Sequence, residues 1–94
     1  MDNIRLDFGE YLFSLRTKHG YSQKKVADKL GIDISLLSKI EHGERHIQGH
    51  MLKPLSELFK LDYKKIQIIF LNQKIVDSFG DEPYFFDAVD SIRR

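Results

Sequence analysis

Apolar side chains recur at helical spacing along most of the chain, and this pattern predicts five or six helices and no strand. Two short apolar runs lie before its middle: Val26, Ala27 and Leu30, then Leu37 and Ile40. Ser22 and Asp33 stand just ahead of the two runs, where helix N-caps belong. Gly31 separates the runs, and glycine suits a tight bend because it tolerates positive φ. Residues 22–43 therefore predict a helix-turn-helix unit.

A first amphipathic helix is predicted ahead of this unit, from about Leu6 to His19. Its apolar positions follow the i, i+3, i+4, i+7 spacing: Phe8, Tyr11, Leu12 and Leu15. We expect Gly20 to end this helix as a left-handed cap. Residues 1–5 are expected to form a polar, frayed start.

Residues 43–50 contain glycine and histidine without clear periodicity and predict a loop before a fourth helix. The buried set of that helix is expected to be Met51, Leu52, Leu55, Leu58 and Phe59. Pro54 is compatible with a helix that begins late, so that the proline lies in the first turn. The alternative is a helix that is kinked at the proline.

A long fifth helix is predicted from an N-cap at Asp62 to Phe79, with Gly80 as its C-terminal stop. Apolar residues occupy two of its sides: Ile66, Ile69, Phe70 and Val76 on one, and Ile68, Leu71, Ile75 and Phe79 on the other. A surface helix needs only one such side to pack on a core. The second side therefore predicts a partner.

Asp81, Glu82 and Pro83 predict the start of a last helix, because they combine a cap, an acid near the positive end of the helix dipole and a first-turn proline. Its buried stripe is expected to be Tyr84, Phe85, Ala88, Val89 and Ile92. We expect the two C-terminal helices to form a homodimer contact. The residues expected there are Ile68, Leu71, Ile75, Phe79 and Phe85.

The composition is typical of one soluble globular domain, with 41% apolar and 31% charged residues among 94. No apolar run approaches the roughly 20 residues that cross a bilayer, and the first residues lack the apolar segment of a signal peptide. The absence of cysteine excludes disulfides and thiolate metal sites. These features favour a cytoplasmic protein.

The formal net charge of +1 is small, but its distribution is uneven. Residues 16–46 contain seven Lys and Arg against four acids, and residues 66–94 contain three against five. The positive charge therefore lies on and beside the predicted helix-turn-helix, where phosphates would approach. A basic solvated face without a partner is the alternative.

Three short motifs lie in and just before the helix-turn-helix unit. They are L-R-x-x-x-G-Y from Leu15 to Tyr21, S-Q-x-x-V-A-x-x-L-G-I from Ser22 to Ile32, and L-S-K-I-E-x-G from Leu37 to Gly43. Together they resemble the lambda-repressor-like (Cro/CI, XRE) helix-turn-helix family, over roughly residues 6–61. The resemblance implies an all-α bundle of five helices, here with an additional C-terminal helix. We expect a single domain, 1–94, with a DNA-binding core at 1–61 and a dimerising extension at 62–94.

The resemblance implies that the third helix enters the major groove of double-stranded DNA while the second crosses the backbone. Ile34, Ser35 and Lys39 would face the bases. Lys39 could donate to guanine, whereas Ile34 departs from the usual polar residue and could contact only a thymine methyl group. The residues that would contact phosphates are Gln23, Lys24, Ser38, His42 and Arg45.

The resemblance also implies that Arg16 pairs with Glu41 and ties the first helix to the end of the third. The alternative is two independent surface charges, which would contribute little to stability.

The sequence offers weaker evidence for a metal site, a ligand pocket or a catalytic site. His42, His46 and His50 are four residues apart, but Gly43 and Gly49 interrupt any helix that would align them on a metal ion, so loop or phosphate-facing histidines are favoured. The C-terminal aromatic residues favour packing over a ligand pocket. The sequence has no nucleophile–base pair, phosphate-binding glycine loop or cofactor motif. We therefore predict no enzyme, cofactor, metal or small-molecule ligand.

Two functions fit these features. The first is a sequence-specific DNA-binding regulator of transcription that acts as a homodimer on a palindromic operator. The second is an antitoxin or adaptor whose C-terminal helices bind another protein, with DNA contact secondary. The second apolar side of the fifth helix permits either. A clean dimer of the purified chain would favour the first, and a monomer or an ill-defined aggregate the second.

Overall fold

The computed structural model describes residues 7–93, and this part of the chain is all-α. The helices are α1 (Phe8–Lys18), α2 (Gln23–Leu30), α3 (Ile34–Glu41), α4 (Leu52–Phe59), α5 (Tyr63–Phe79) and α6 (Phe85–Ile92), with a 3₁₀ turn, Gly49–Met51, before α4. The predicted fold class is confirmed. The frayed start predicted for residues 1–5 lies outside the described residues, and α1 begins at Phe8, after the extended N-cap Asp7, and not at about Leu6.

Local signals begin or end several helices as predicted, at the N-caps Ser22, Asp33 and Asp62 and at Gly20, whereas the N-cap Asp7 of α1 was not predicted. Side chains accept a backbone N–H in the first turns of α1, α2, α3 and α5, from N-caps Asp7, Ser22, Asp33 and Asp62. Gly20 and Gly31 follow α1 and α2 with φ of 70° and 71°. This left-handed backbone is open to glycine because it has no Cβ.

The core lies between α1, α2, α3, α4 and α5. Its fully buried side chains include Leu12, Val26, Leu37, Ile40, Leu52, Leu55 and Ile66. The set predicted to be buried on the fourth helix is buried except for Leu58, which is half-buried, although Met51 lies in the 3₁₀ turn before α4. Pro54 is the third residue of α4, so the late start predicted for this helix is confirmed.

The end of α5 at Phe79 and the position of Gly80 as its C-cap are as predicted. Gly80 has a φ of −62° and is not left-handed. Its N–H donates to the carbonyl oxygen of Val76 at 2.7 Å. A Cβ at Gly80 would lie 2.5 Å from that oxygen, so the glycine permits close approach and not an unusual backbone.

The start predicted for the last helix is wrong. Residues 81–84 form turns, and α6 begins only at Phe85, with Tyr84 as an N-cap that lacks a side-chain hydrogen bond. Pro83 disfavours the α conformation at Glu82, which opposes a helix that begins directly after Asp81. Asp81 therefore does not cap α6.

The buried stripe predicted for α6 is also wrong for this chain. Tyr84 and Ile92 are 74% and 76% exposed, Ala88 is exposed, and only Phe85 and Val89 are half-buried. No residue of α6 is buried, because the helix packs weakly on the rest of the described chain.

Candidate nucleic-acid interface

Helix α3 is held from behind by α1 and α2. Leu37 and Ile40 face the core and are almost fully buried. Gly9 of α1 lies so close to the carbonyl oxygen of Ile40 that a Cβ would collide with it. Because α1 and α2 fix one side of α3, the other side has a defined position and direction toward solvent.

The outward side of α3 carries the three predicted base-reading residues. Ile34, Ser35 and Lys39 are all exposed. Ile34 follows the N-cap Asp33, whose carboxylate accepts the Leu36 N–H at 2.8 Å. The side-chain ammonium of Lys39 forms no ion pair within residues 7–93. This arrangement offers one free cation, one hydroxyl and one apolar side chain to a ligand.

Arg16 and Glu41 form a bidentate ion pair between α1 and the end of α3. Arg16 Nε lies 2.6 Å from Glu41 Oε2, and Nη2 lies 3.0 Å from Oε1. The two side chains are 13% and 2% exposed. Arg16 Nη1 also donates to the carbonyl oxygen of Tyr21 at 3.1 Å. The pair is therefore buried and hydrogen-bonded at both ends, unlike the alternative of independent surface charges.

Gln23 joins the same network at the start of α2. Its Nε2 donates to Glu41 Oε1 at 3.2 Å. A primary amide has two N–H donors, so one remains for another acceptor. This link was not predicted, because residues 23 and 41 lie in different helices and no sequence spacing relates them.

Lys24 is also engaged within the chain, but weakly. Its Nζ lies 3.0 Å from Asp28 Oδ2 in the i,i+4 geometry, and both side chains are mostly exposed. Such pairs contribute about 0.3–0.5 kcal/mol. A phosphate could therefore displace Asp28 from Lys24 at small cost.

Ser38, His42 and Arg45 lie toward the C-terminal end of α3 and the loop after it. His42 Nδ1 lies 2.7 Å from the carbonyl oxygen of Ser38, and because a carbonyl oxygen only accepts hydrogen bonds, Nδ1 is the donor in this contact. The side chain of Ser38 is half-buried, whereas His42 and Arg45 are exposed. His42 and Arg45 are thus the more accessible of the three to a phosphate.

Several acids near this surface are already paired. Glu41 binds Arg16, Asp28 binds Lys24, and Glu57 of α4 lies 3.3 Å from Lys29. Lys25 lies over the ring of Tyr21, with Nζ 4.3 Å from the ring centroid. This contact was not predicted, because Tyr21 precedes the helix that carries Lys25.

The residues predicted for a dimer contact lie far along the chain from α3. Ile68, Leu71, Ile75 and Phe79 of α5 are exposed, between 44% and 57%. Phe85 of α6 is half-buried and packs edge-on against Phe86, with ring centroids 4.9 Å apart. Four of the five residues are therefore accessible to a second molecule.

Comparison with known protein families shows which family this chain belongs to. Residues 12–66 match the HTH_3 helix-turn-helix family, which covers more than half of the chain. The chain belongs to the HTH_3 family. The resemblance to XRE and Cro/CI proteins is thereby confirmed, and membership of the HTH_3 family implies that the protein binds DNA.

The HTH_3 match ends at Ile66, within α5, so most of α5 and all of α6 lie outside it. No curated protein and no solved structure matched the chain. Within residues 7–93, none of the helices combines the length and the apolar character that a membrane span requires.

Proposed function

We propose that this HTH_3 protein is a sequence-specific DNA-binding regulator of transcription. It acts in the cytoplasm as a homodimer on a palindromic operator and catalyses no reaction. The observation that carries the proposal is the outward side of α3. Ile34, Ser35 and Lys39 are exposed there on a helix that buried contacts hold in place.

The proposed readout follows from the chemistry of these side chains. Lys39 donates to guanine O6 and N7 in the major groove. Ser35 donates to or accepts from a base edge, and Ile34 contacts a thymine methyl group. One cation and one hydroxyl specify few base pairs, so a single α3 discriminates weakly between sequences.

Phosphate contacts would set the position of α3 in the groove. We assign one to the second amide N–H of Gln23, with Glu41 orienting that amide. Lys24 contributes by leaving Asp28, and Ser38 contributes its hydroxyl. At the other end of α3 the side chains of His42 and Arg45 supply further contacts.

A homodimer would supply the missing discrimination. Two recognition helices about 34 Å apart read two half-sites one helical turn apart, so a two-fold protein reads a palindrome. In this proposal residues 1–61 form the DNA-binding core and residues 62–94 form the dimer contact, within one domain.

A second candidate function is an antitoxin or adaptor whose C-terminal helices bind a different protein. The exposed side chains of α6 permit it, because a different protein could cover them as well as a second copy could. Sedimentation of the purified chain separates the two. A stable dimer supports the regulator, and a monomer supports the adaptor.

The test of sequence reading compares two cation deletions. A random duplex library first supplies the bound sequence. Lys39→Ala should then cost about 1–3 kcal/mol on that sequence and relax preference at one base pair per half-site. Arg45→Ala should weaken binding to all sequences alike and reduce the salt slope by about 1.

Lys29→Ala is the matched control, because its ammonium is exposed to solvent and already lies beside Glu57. It should leave both sequence preference and salt slope unchanged. Equal, sequence-independent losses from Lys39→Ala and Arg45→Ala would refute the assignment of Lys39 to base reading.

A further inference from the structure

Helix α5 carries an exposed apolar stripe on the side away from the core. Its members are Ile68, Leu71, Ile75 and Phe79, and we call them the α5 stripe. The opposite side of the same helix is buried through Ile66 and Phe70. Within residues 7–93 no helix covers the α5 stripe. Contiguous exposed apolar surface of this kind marks an interaction site.

The spacing of the α5 stripe is nearly the same in both directions along the helix. Ile68 and Phe79 stand at similar distances from a midpoint near position 73, and so do Leu71 and Ile75. If a second α5 lay antiparallel, Ile68 would face the partner's Phe79 and Leu71 the partner's Ile75. A two-fold contact requires this self-complementary arrangement.

The charged residues beyond one end of the α5 stripe are positive, and those beyond the other end are negative. The two groups lie at similar distances from the same midpoint. Lys64 lies one turn before Ile68 on the same side of α5, with Lys65 beside it, and Asp81 and Glu82 follow Phe79. All four charged side chains are exposed. None of them has an ion-pair partner in the part of the chain that the structure describes.

Orientation decides whether these charges attract or repel. In an antiparallel pair, Lys64 and Lys65 approach the partner's Glu82 and Asp81. In a parallel pair, lysine approaches lysine and acid approaches acid, which is unfavourable. The charges therefore fit a second copy of this chain in one orientation only.

We propose that a second copy packs on the α5 stripe with the two α5 helices antiparallel, paired through Lys64 and Lys65 with the partner's Asp81 and Glu82. The proposal rests on the homodimer of the proposed function and specifies its surface, orientation and register. The C-terminal acidic charge, which opposes DNA binding, thereby serves assembly.

Charge reversal at either end tests this arrangement. The first variant carries Lys64→Glu and Lys65→Glu, and the second carries Asp81→Lys and Glu82→Lys. At low salt each variant alone should raise the dimer dissociation constant roughly tenfold or more, because both ends of the two-fold contact become repulsive. An equimolar mixture of the two should form a heterodimer at least as tight as the unaltered dimer.

The control carries Lys18→Glu and Lys53→Glu, which make the same charge change at exposed positions on α1 and α4. It should not alter dimerisation. Thermal melts of all variants at high dilution report whether the monomer still folds. Sedimentation equilibrium measures each dissociation constant.

Two results would overturn the antiparallel arrangement. One is an unaltered chain that is monomeric, and the other is a dimer that neither charge reversal weakens. A separate titration with the selected duplex distinguishes these from failure of the proposed function. A dimer with the expected charge response that shows no sequence preference in DNA binding would refute the regulator and leave the α5 contact standing.

Discussion

Glu41 is an acid buried at the end of α3. The free-energy cost of burying its carboxylate depends on the groups around it. Two guanidinium nitrogens of Arg16 and the amide of Gln23 donate to its oxygens. Taking a carboxylate out of water costs several kcal/mol unless such partners replace the lost hydration. The network therefore holds α3 to α1 and α2, and removal of either Arg16 or Glu41 leaves the other charge without its partner.

Removing either charge should destabilise the fold strongly. Arg16→Ala and Glu41→Ala should each lower the free energy of unfolding by about 3–5 kcal/mol, because the remaining charge stays buried without its partner. The double variant should lose less than the sum of the two. Urea denaturation measures all three.

The exposed pair Lys24 and Asp28 is the control for this experiment. Alanine at either position should change the free energy of unfolding by less than about 1 kcal/mol. Additive losses below 1 kcal/mol for Arg16→Ala and Glu41→Ala would show that their contact contributes little.

At the scale of elements, the turn between α2 and α3 sets the angle at which α3 is presented. Gly31 has a φ of 71°, and the next N–H, of Ile32, donates back to the carbonyl oxygen of Ala27 at 3.0 Å. This hydrogen bond satisfies a carbonyl at the end of α2. Left-handed backbone at Gly31 is thus a requirement for the helix-turn-helix geometry.

Alanine at Gly31 should measure that requirement directly. No heavy atom lies within 4 Å of a Cβ built there, so the cost is backbone strain alone. We expect Gly31→Ala to lower the free energy of unfolding by about 1–2 kcal/mol, and Gly31→Asn to lower it by less. Thermal denaturation gives both values.

Gly49→Ala is the comparison, because Gly49 has no positive φ and its Cβ would make ordinary contact with Phe70. It should be close to neutral. A Gly31→Ala variant as stable as Gly49→Ala would mean that the turn has a conformation other than the left-handed one.

The whole molecule is elongated, with principal extents of 42 × 25 × 24 Å. The core occupies α1 to the first half of α5, whereas α6 adds no buried residue. A chain of this size buries only a modest core on its own. Apolar surface left on α5 and α6 is therefore available for assembly.

A charge within the α5 stripe should separate folding from assembly. Leu71→Glu should give a folded monomer whose affinity for a two-half-site operator falls roughly 100-fold or more, because the linked second half-site is lost. Affinity for a single half-site should not change. Sedimentation and titrations with the two duplexes measure these effects.

Tyr63→Glu provides the matched control on the same helix. Tyr63 is 42% exposed, close to the 44% of Leu71, and helical spacing turns it away from the α5 stripe. It should remain dimeric. If Leu71→Glu also remained dimeric, the contact would lie on another surface.

Much of this architecture followed from local patterns. Features that depend on residues within a few positions of one another were predicted correctly from the sequence. They are the bounds of α2 and α3, the caps at Ser22, Asp33 and Asp62, and the first-turn position of Pro54. The same local reasoning failed at 81–84, where the cap signal of Asp81 and the restriction imposed by Pro83 compete. Spacing alone does not rank two such signals.

Contacts between distant residues were decided by packing. The amide of Gln23 donates to Glu41 across 18 residues of sequence, and no periodicity relates the two helices. The nearer contact of Arg16 with the carbonyl oxygen of Tyr21 crosses the turn after α1, where helical spacing does not apply. Which apolar side of α5 is buried also depended on the position of α4 and α1 around it. The sequence by itself determined where helices begin and how their faces alternate, because those are short-range properties. Only the tertiary structure decided which faces meet, since burial depends on the whole folded chain.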